Sequence, residues 1–300
     1  MQFRAPSFQL IQAGTASWIW RLLRSGVVAT YENGGLGTAK GVAYSGLLAF
    51  FPVLTTLAAV LVQARADDVA RTIAALLYDV VPPGTEDVVR TLFVDHGSRP
   101  KYLLIVATLL SAWAASGAFL SLMEGFRAVY HIPSGRGLWP DRGIAILLVF
   151  ATAIPILGGS AAIVFGTRAE QTLMSWVGLM PEGAEFRGWV QLGGKVLQLG
   201  LAFVTFVLVA TTLYYFGPNR RQRLRYVFPG AALATVLWMV ATIVVGWWIR
   251  NIANYNVLYG SVGAGLALVV WMYVLAVVAL FGSEFNAARE RLLTGPASDL

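Results

Sequence analysis

The side chains best suited to chemistry are charged groups that border long apolar segments. Glu124 follows one apolar segment, Glu284 ends another, and four arginines beginning with Arg220 and Arg221 lie between two more. Arg127 follows Glu124 by about one helical turn. Because ionisable groups at membrane depth are costly and usually paired, we expect these carboxylates and guanidiniums to form a network. That network is either structural ion pairing, a cytoplasmic gate or a site for an anionic headgroup. Its loop and helix-end residues include Pro218, Asn219 and Asn286.

A second candidate group lies in the first long apolar segment. Gly41, Ser45 and Ala49 recur every four residues, a spacing of small residues that permits close helix approach. Pro52 then interrupts the helix and leaves a backbone carbonyl without its usual donor. This segment is either a kinked helix packed against its neighbours or one side of a polar path, lined by Tyr44, Ser45, Pro52 and Thr56.

A polar turn before the last apolar segment forms the third candidate group. Arg250 is its only charged residue, and asparagine, tyrosine and serine side chains follow it. Such residues suit a tight turn and a helix N-cap, and they could also bind a phosphate or a sugar. The members of this group are Arg250, Asn254, Tyr255, Asn256, Tyr259 and Ser261.

Enzymatic chemistry finds little support in the sequence. The chain has no cysteine and only two histidines, His96 and His131, so a Cys/His metal cluster is not expected. There is no GxxxxGK[ST] phosphate loop, and the short arginine run offers no folded platform for nucleic acid. We therefore expect no enzyme, no metal, no cofactor and no nucleic-acid partner.

The composition predicts an all-α integral membrane protein. The 300 residues are 57% hydrophobic and only 12% charged, whereas soluble domains carry about 25% charged residues. Six segments reach the roughly 20 apolar residues that a spanning helix needs. They are residues 41–62, 102–123, 143–165, 190–214, 227–249 and 261–282.

Other segments are predicted to lie at the membrane surface. Residues 8–23 read as an amphipathic interfacial helix anchored by Trp18 and Trp20, followed by a glycine-rich loop over residues 30–40. Residues 66–95 read as an amphipathic hairpin on the outer surface, and residues 169–189 as a weaker version of it. The predicted divisions are residues 1–40, a membrane unit over 41–287 and a tail over 288–300.

Charge places both termini in the cytoplasm. With the N-terminus inside, the inner segments hold the whole net charge of +7, and bases balance acids outside. An excess of arginine and lysine marks the cytoplasmic side of a multi-pass protein. No cleavable signal peptide is expected at the N-terminus.

Four stretches in order resemble the YihY/virulence factor BrkB family of bacterial inner-membrane proteins. They are residues 43–52, residues 217–221 with Pro229-Gly230, residues 254–263 and residues 282–287. Ser283 departs from the alanine more usual in the last stretch. The resemblance covers about residues 31–291 and implies six helices in the bacterial inner membrane.

The resemblance implies no settled activity. Relatives have been labelled ribonuclease BN, others are linked to virulence, and lipid or envelope-precursor transport has been suggested for the family. Our leading hypothesis is a transporter or flippase-like protein for a lipid or anionic envelope precursor, with membrane lipids as its partners. The alternatives are a non-transporting scaffold that docks an envelope protein through the outer hairpin, and, third, a membrane-embedded enzyme. The oligomeric state is left open.

Overall fold

The computed structural model describes residues 15–63, 101–133, 135–176, 188–251 and 261–294. Over these ranges the chain forms seven α-helices and no strand. They are α1 (Thr15–Glu32), α2 (Gly35–Gln63), α3 (Lys101–Val129), α4 (Leu138–Trp176), α5 (Gly188–Phe216), α6 (Leu224–Asn251) and α7 (Ser261–Thr294).

Helices α2 to α7 are the six that are long and apolar enough to cross a membrane. Each contains one of the six predicted spans, so the predicted fold class and span count are confirmed within the described residues. The helices extend beyond the apolar segments, most of all at the C-terminal end of α7. Hydropathy identifies the apolar part of a helix, but polar turns remain helical where their side chains pair with neighbouring helices.

The prediction of a loop over residues 30–40 is wrong. Helix α1 continues to Glu32, α2 begins at Gly35, and only Asn33 and Gly34 form the turn between them. Gly34 has a φ of 71°, a left-handed conformation that glycine adopts without steric cost. The glycines that suggested a loop therefore make a two-residue turn between helices.

Two predicted surface segments are also helical extensions. Residues 169–176 continue α4, and residues 288–294 continue α7, so the start of the predicted tail is part of the last helix. The predicted outer hairpin over residues 66–95, His96 and residues 8–14 lie outside the described residues.

The six long helices pack as a closed ring. Each of α2 to α6 contacts the next helix in sequence, and α7 closes the ring by packing on α2. Helix α7 also contacts α3, and α1 packs against α7. The apolar span of α7 is 39% buried, whereas each of the other spans is 22–28% buried. Helix α7 is therefore the helix around which the described part of the chain is organised.

Candidate functional site

The charged residues of the predicted network lie at one end of the ring, which we call the α1 end because the α1–α2 turn lies there. Asn33 from that turn contacts α7, and Arg220 from the α5–α6 loop contacts α7 one and a half turns further on. The start of α4 contacts the end of α3 there. The α1 end thus joins helix termini that are far apart in the sequence.

Asn286 ties α7 to α6 at a proline in the α6 backbone. Its amide oxygen accepts a hydrogen bond from the Gly230 N–H at 2.7 Å, and its Nδ2 donates to the Val227 carbonyl at 2.8 Å. Pro229 cannot donate to the Arg225 carbonyl, which instead accepts a bond from Arg289 Nη1 at 3.3 Å. The α7 side chains therefore serve backbone groups around the α6 proline.

Two glycines next to Asn286 let α6 and α7 approach each other closely. A Cβ on Gly230 would lie 2.2 Å from the Gly282 carbonyl oxygen, and a Cβ on Gly282 would lie 2.4 Å from the Tyr214 hydroxyl oxygen. Tyr214 in turn donates to the Ala279 carbonyl at 2.7 Å, so α5 joins the same junction. No side chain larger than glycine fits at either position without moving a helix.

Glu284 is buried at the α1 end but does not pair with the arginine loop. Its side chain is 1% exposed, and Oε1 accepts a hydrogen bond from Asn33 Nδ2 at 2.5 Å. A neutral amide from the α1–α2 turn therefore takes the place that we predicted for Arg220 or Arg221. This part of the predicted network is wrong, because the tight turn brings Asn33 onto α7.

Arg220 forms its ion pair with a residue of the predicted tail. Its Nη2 lies 2.6 Å from Glu290 Oε1, and its guanidinium lies 4.5 Å from the centre of the Tyr130 ring. Burial raises the pKa of Tyr130 to about 12, and the adjacent Arg220 charge opposes that rise only in part. Tyr130 therefore stays neutral at physiological pH. The Ser283 hydroxyl faces it without the geometry of a hydrogen bond.

Arg127 pairs with the first turn of α4 rather than with a glutamate. Its Nη1 lies 2.7 Å from Asp141 Oδ2, and both side chains are about nine-tenths buried. Arg136 approaches the other carboxylate oxygen at 3.8 Å and donates to the carbonyls of Phe216 and Pro218. One carboxylate therefore serves two arginines and joins α3, α4 and α5.

The remaining residues of the predicted network do not meet. Glu124 is exposed, as are Asn219 and Arg221, whereas Pro218 is buried. The hypothesis placed Glu124, Glu284 and Arg220 in one cluster because they share a depth in the membrane. Depth alone did not determine which side of each helix these residues occupy.

The residues predicted in the first span lie on different sides of α2. The Ser111 hydroxyl of α3 donates to the Pro52 carbonyl at 2.6 Å and lies 2.6 Å from the Thr56 hydroxyl, which must then be the donor of that second bond. Ser45 packs against Gly117 of α3, while Tyr44 is 64% exposed. Pro52, Thr56 and Ser111, which we call the α2–α3 hydroxyl site, are thus brought together.

The third candidate group is mostly outside the described residues. Arg250 lies in the last turn of α6 and Ser261 begins α7. Asn254, Tyr255, Asn256 and Tyr259 lie beyond the described ranges, so this group stays a prediction.

Sequence reasoning missed three residues that the structure gives important contacts. Asn33 was assigned to a loop, Ser111 was taken as part of an apolar span, and Asp141 was counted only as a loop charge. Asp141 carried a usable signal, because proline followed by an acidic residue is typical of the first turn of a helix. Among the described residues, no three His, Cys, Asp or Glu side chains cluster to hold a metal ion.

These features define a multi-pass, all-α membrane protein whose spanning helices are joined by polar contacts at one end. The chain matches the family described as Virulence factor BrkB over residues 29–299, and it belongs to that family. The resemblance carried by the four sequence motifs is therefore confirmed.

Named relatives are distant. The ribonuclease-like protein YfkH of Bacillus subtilis is 25% identical over 257 residues, which cover 84% of this chain and 89% of YfkH. The UPF0761 membrane proteins of Chromohalobacter salexigens and Alkalilimnicola ehrlichii are 24% and 27% identical, over 93% and 84% of this chain. The matched regions span 65% and 54% of those two proteins. No solved structure matches the chain.

Proposed function

We propose that the protein moves a lipid or an anionic, lipid-linked envelope precursor across the bacterial inner membrane. The observation that carries this proposal is the α2–α3 hydroxyl site, which lies within two membrane-spanning helices. Polar groups and a proline-broken backbone are tolerated at such depth where they are buried in protein or line a path. A lipid carrier needs such groups for the headgroup, while the acyl chains can stay in the bilayer.

The geometry of the site favours a place where α2 can bend. Pro52 removes the donor for the Leu48 carbonyl, and Ser111 of α3 donates to the carbonyl of Pro52 itself. The hydrogen bond between the Thr56 and Ser111 hydroxyls can be exchanged for a hydrogen bond to a passing polar group at a small net cost in free energy. An apolar contact at this position would offer a headgroup no such exchange.

We expect purified protein in liposomes to accelerate the transfer of labelled phosphatidylglycerol between leaflets. Ser111→Ala removes the donor to Pro52 and the acceptor for Thr56, and we expect it to lower the transfer rate about tenfold, by analogy with the loss of one or two hydrogen bonds. Ser121→Ala is the matched control, since Ser121 bonds only to the Gly117 carbonyl of its own helix. A rate equal to that of protein-free vesicles would contradict the proposal and favour a non-transporting scaffold.

We also propose that the α1 end faces the cytoplasm, in accordance with the positive-inside rule. The chain has no cysteine, so single cysteines at Arg24 and Lys195 can be labelled without background. Both side chains are exposed, and Lys195 is only two residues from the end of the apolar span of α5 that lies opposite the α1 end. In intact cells a membrane-impermeant maleimide is expected to label the cysteine at 195 and not the one at 24. The reverse pattern would show that the orientation is inverted.

The proposal describes a protein that is not an enzyme, although YfkH is named ribonuclease-like. RNA incubated with the purified protein is expected to remain intact in the main chromatographic peak. Cleavage that co-purifies with the protein and survives removal of contaminants would favour the enzyme hypothesis instead.

A further inference from the structure

Arg142 is a cation inside a membrane-spanning helix. Helix α4 begins at Leu138, so Arg142 lies in its second turn and within its apolar span, which the sequence prediction began one residue too late to include. Its Nη2 donates to the backbone carbonyl of Trp113 at 2.7 Å, and its guanidinium lies 3.9 Å from the centre of the Trp113 ring.

Through its contact with Trp113, the guanidinium lies beside the interior of the apolar span of α3. Trp113 is eight residues from one end of the apolar span of α3 and sixteen from the other. At 1.5 Å per residue these separations are about 12 Å and about 24 Å, and the core of a bilayer is about 30 Å thick. Arg142 therefore places a positive charge well below the level of the headgroups.

No described carboxylate compensates this charge. The neighbouring Asp141 already binds Arg127 and Arg136, and Arg142 forms no ion pair within the described ranges. Its Nε is buried without a hydrogen-bond partner in that part of the chain. The Trp113 carbonyl also accepts a hydrogen bond from the Ser116 hydroxyl at 2.7 Å, so Arg142 and Ser116 share this one acceptor. A guanidinium has five N–H donors, and within the described ranges the Trp113 carbonyl is the acceptor seen for Arg142.

The surface beside Arg142 is apolar and open. Ile105 and Leu109 lie two turns and one turn before Trp113 on the same face of α3, and all three are more than half exposed. A lipid could place its phosphate on the guanidinium and its acyl chain along this face. A soluble anion would gain nothing from these apolar contacts.

We propose that Arg142 is the binding group for the phosphate of the transported lipid, with the Trp113 ring and carbonyl holding the guanidinium in place. This inference deepens the proposed transport function and rests on it. The chemistry that it requires is a phosphate mono- or diester, and the apolar face assigns that phosphate to a lipid. An ionisable residue within a membrane span that is held by a backbone carbonyl is typical of a substrate or ion pathway.

The test measures lipid binding directly. The full chain in detergent is incubated with equal amounts of phosphatidylglycerol and phosphatidylcholine, and bound lipids are counted by native mass spectrometry. We expect wild type to prefer phosphatidylglycerol about tenfold, as a charge-assisted hydrogen bond predicts. Arg142→Gln should bind both lipids equally. Arg142→Lys should keep part of the preference, and Arg24→Gln, an exposed arginine on α1, should keep all of it.

Several outcomes overturn the inference. If Arg142→Gln keeps the full preference for phosphatidylglycerol, Arg142 is not the binding group. If excess inorganic phosphate displaces the lipid, the site binds free phosphate instead. If Arg142→Gln does not fold, a reduced preference for phosphatidylglycerol in a folded Arg142→Lys variant with unchanged melting temperature supports the site. Equal binding of the two lipids by wild type contradicts it.

Transport separates this inference from the proposed function. Vesicles that show no transfer, although Arg142-dependent lipid binding persists, would defeat the transport proposal and leave the binding site standing. Normal transfer by Arg142→Gln would defeat the binding site alone.

Discussion

Gly282→Ala is expected to destabilise the protein by about 3 kcal/mol, at the upper end of the usual cost of overpacking. The new methyl group would lie 2.4 Å from the Tyr214 hydroxyl, 2.8 Å from Ala234 Cβ and 2.9 Å from the Gly230 carbonyl oxygen. One of these neighbours is backbone, and Tyr214 is held by its bond to Ala279. Helix α7 would therefore have to move away from α5 and α6. The melting temperature in detergent measures the loss.

Gly265→Ala supplies the matched control in the same helix. A Cβ on Gly265 meets nothing within 4 Å of the described chain, so this substitution should leave the melting temperature unchanged or raise it slightly through helix propensity. Gly230→Ala places its Cβ 2.2 Å from a backbone oxygen and should be at least as damaging as Gly282→Ala. Equal melting temperatures for Gly282→Ala and Gly265→Ala would contradict the close approach of α6 and α7.

The spanning helices were predictable because a long run of apolar residues can be read directly from the sequence. A run of about 20 apolar residues has few stable solutions other than a helix across the bilayer. Helix ends were less predictable. The polar turn that holds Glu290 continues α7 and pairs with Arg220 from the α5–α6 loop, and hydropathy contains no information about that contact.

The structure gives the residues of the predicted network partners other than the predicted ones. Glu284 and Arg220 do lie at the α1 end, yet one binds Asn33 and the other Glu290. Which residues pair depends on how each helix is rotated about its axis and tilted. A sequence pattern predicts how far along the helix a residue lies far better than it predicts which neighbouring helix the residue faces. Arg142 was missed for the related reason that its helix begins earlier than the apolar run does.

The motif residues and the polar residues at membrane depth have different structural roles. Pro229-Gly230, Gly282 and Asn286 make the α6–α7 junction, where the Asn286 amide and the Tyr214 hydroxyl are both already bonded to backbone groups. Ser111 and Arg142 lie outside the quoted motifs and present polar groups within the spans. The motif residues at this junction therefore hold α6 and α7 together, whereas Ser111 and Arg142 place polar groups within the spans of α3 and α4.

Asp141→Ala is expected to cost about 3–5 kcal/mol, because it leaves Arg127 and Arg136 without their shared carboxylate. The side chains of Arg127 and Asp141 are only 12% and 10% exposed, so water cannot replace the lost charge. Asp141→Asn should cost less, since the amide oxygen can still accept a bond. The melting temperature in detergent, followed with and without added salt, measures both effects.

A double variant shows whether the cost of losing Asp141 comes from unpaired charge. Adding Arg127→Leu to Asp141→Ala removes the most buried uncompensated cation, so the double variant should be more stable than Asp141→Ala alone. Glu290→Ala is the comparison at the same end of the ring, and it should cost less because Arg220 is 32% exposed and retains water. If Arg127→Leu gave no recovery, the role of Asp141 would be to shape the α3–α4 connection, and the charge would be incidental.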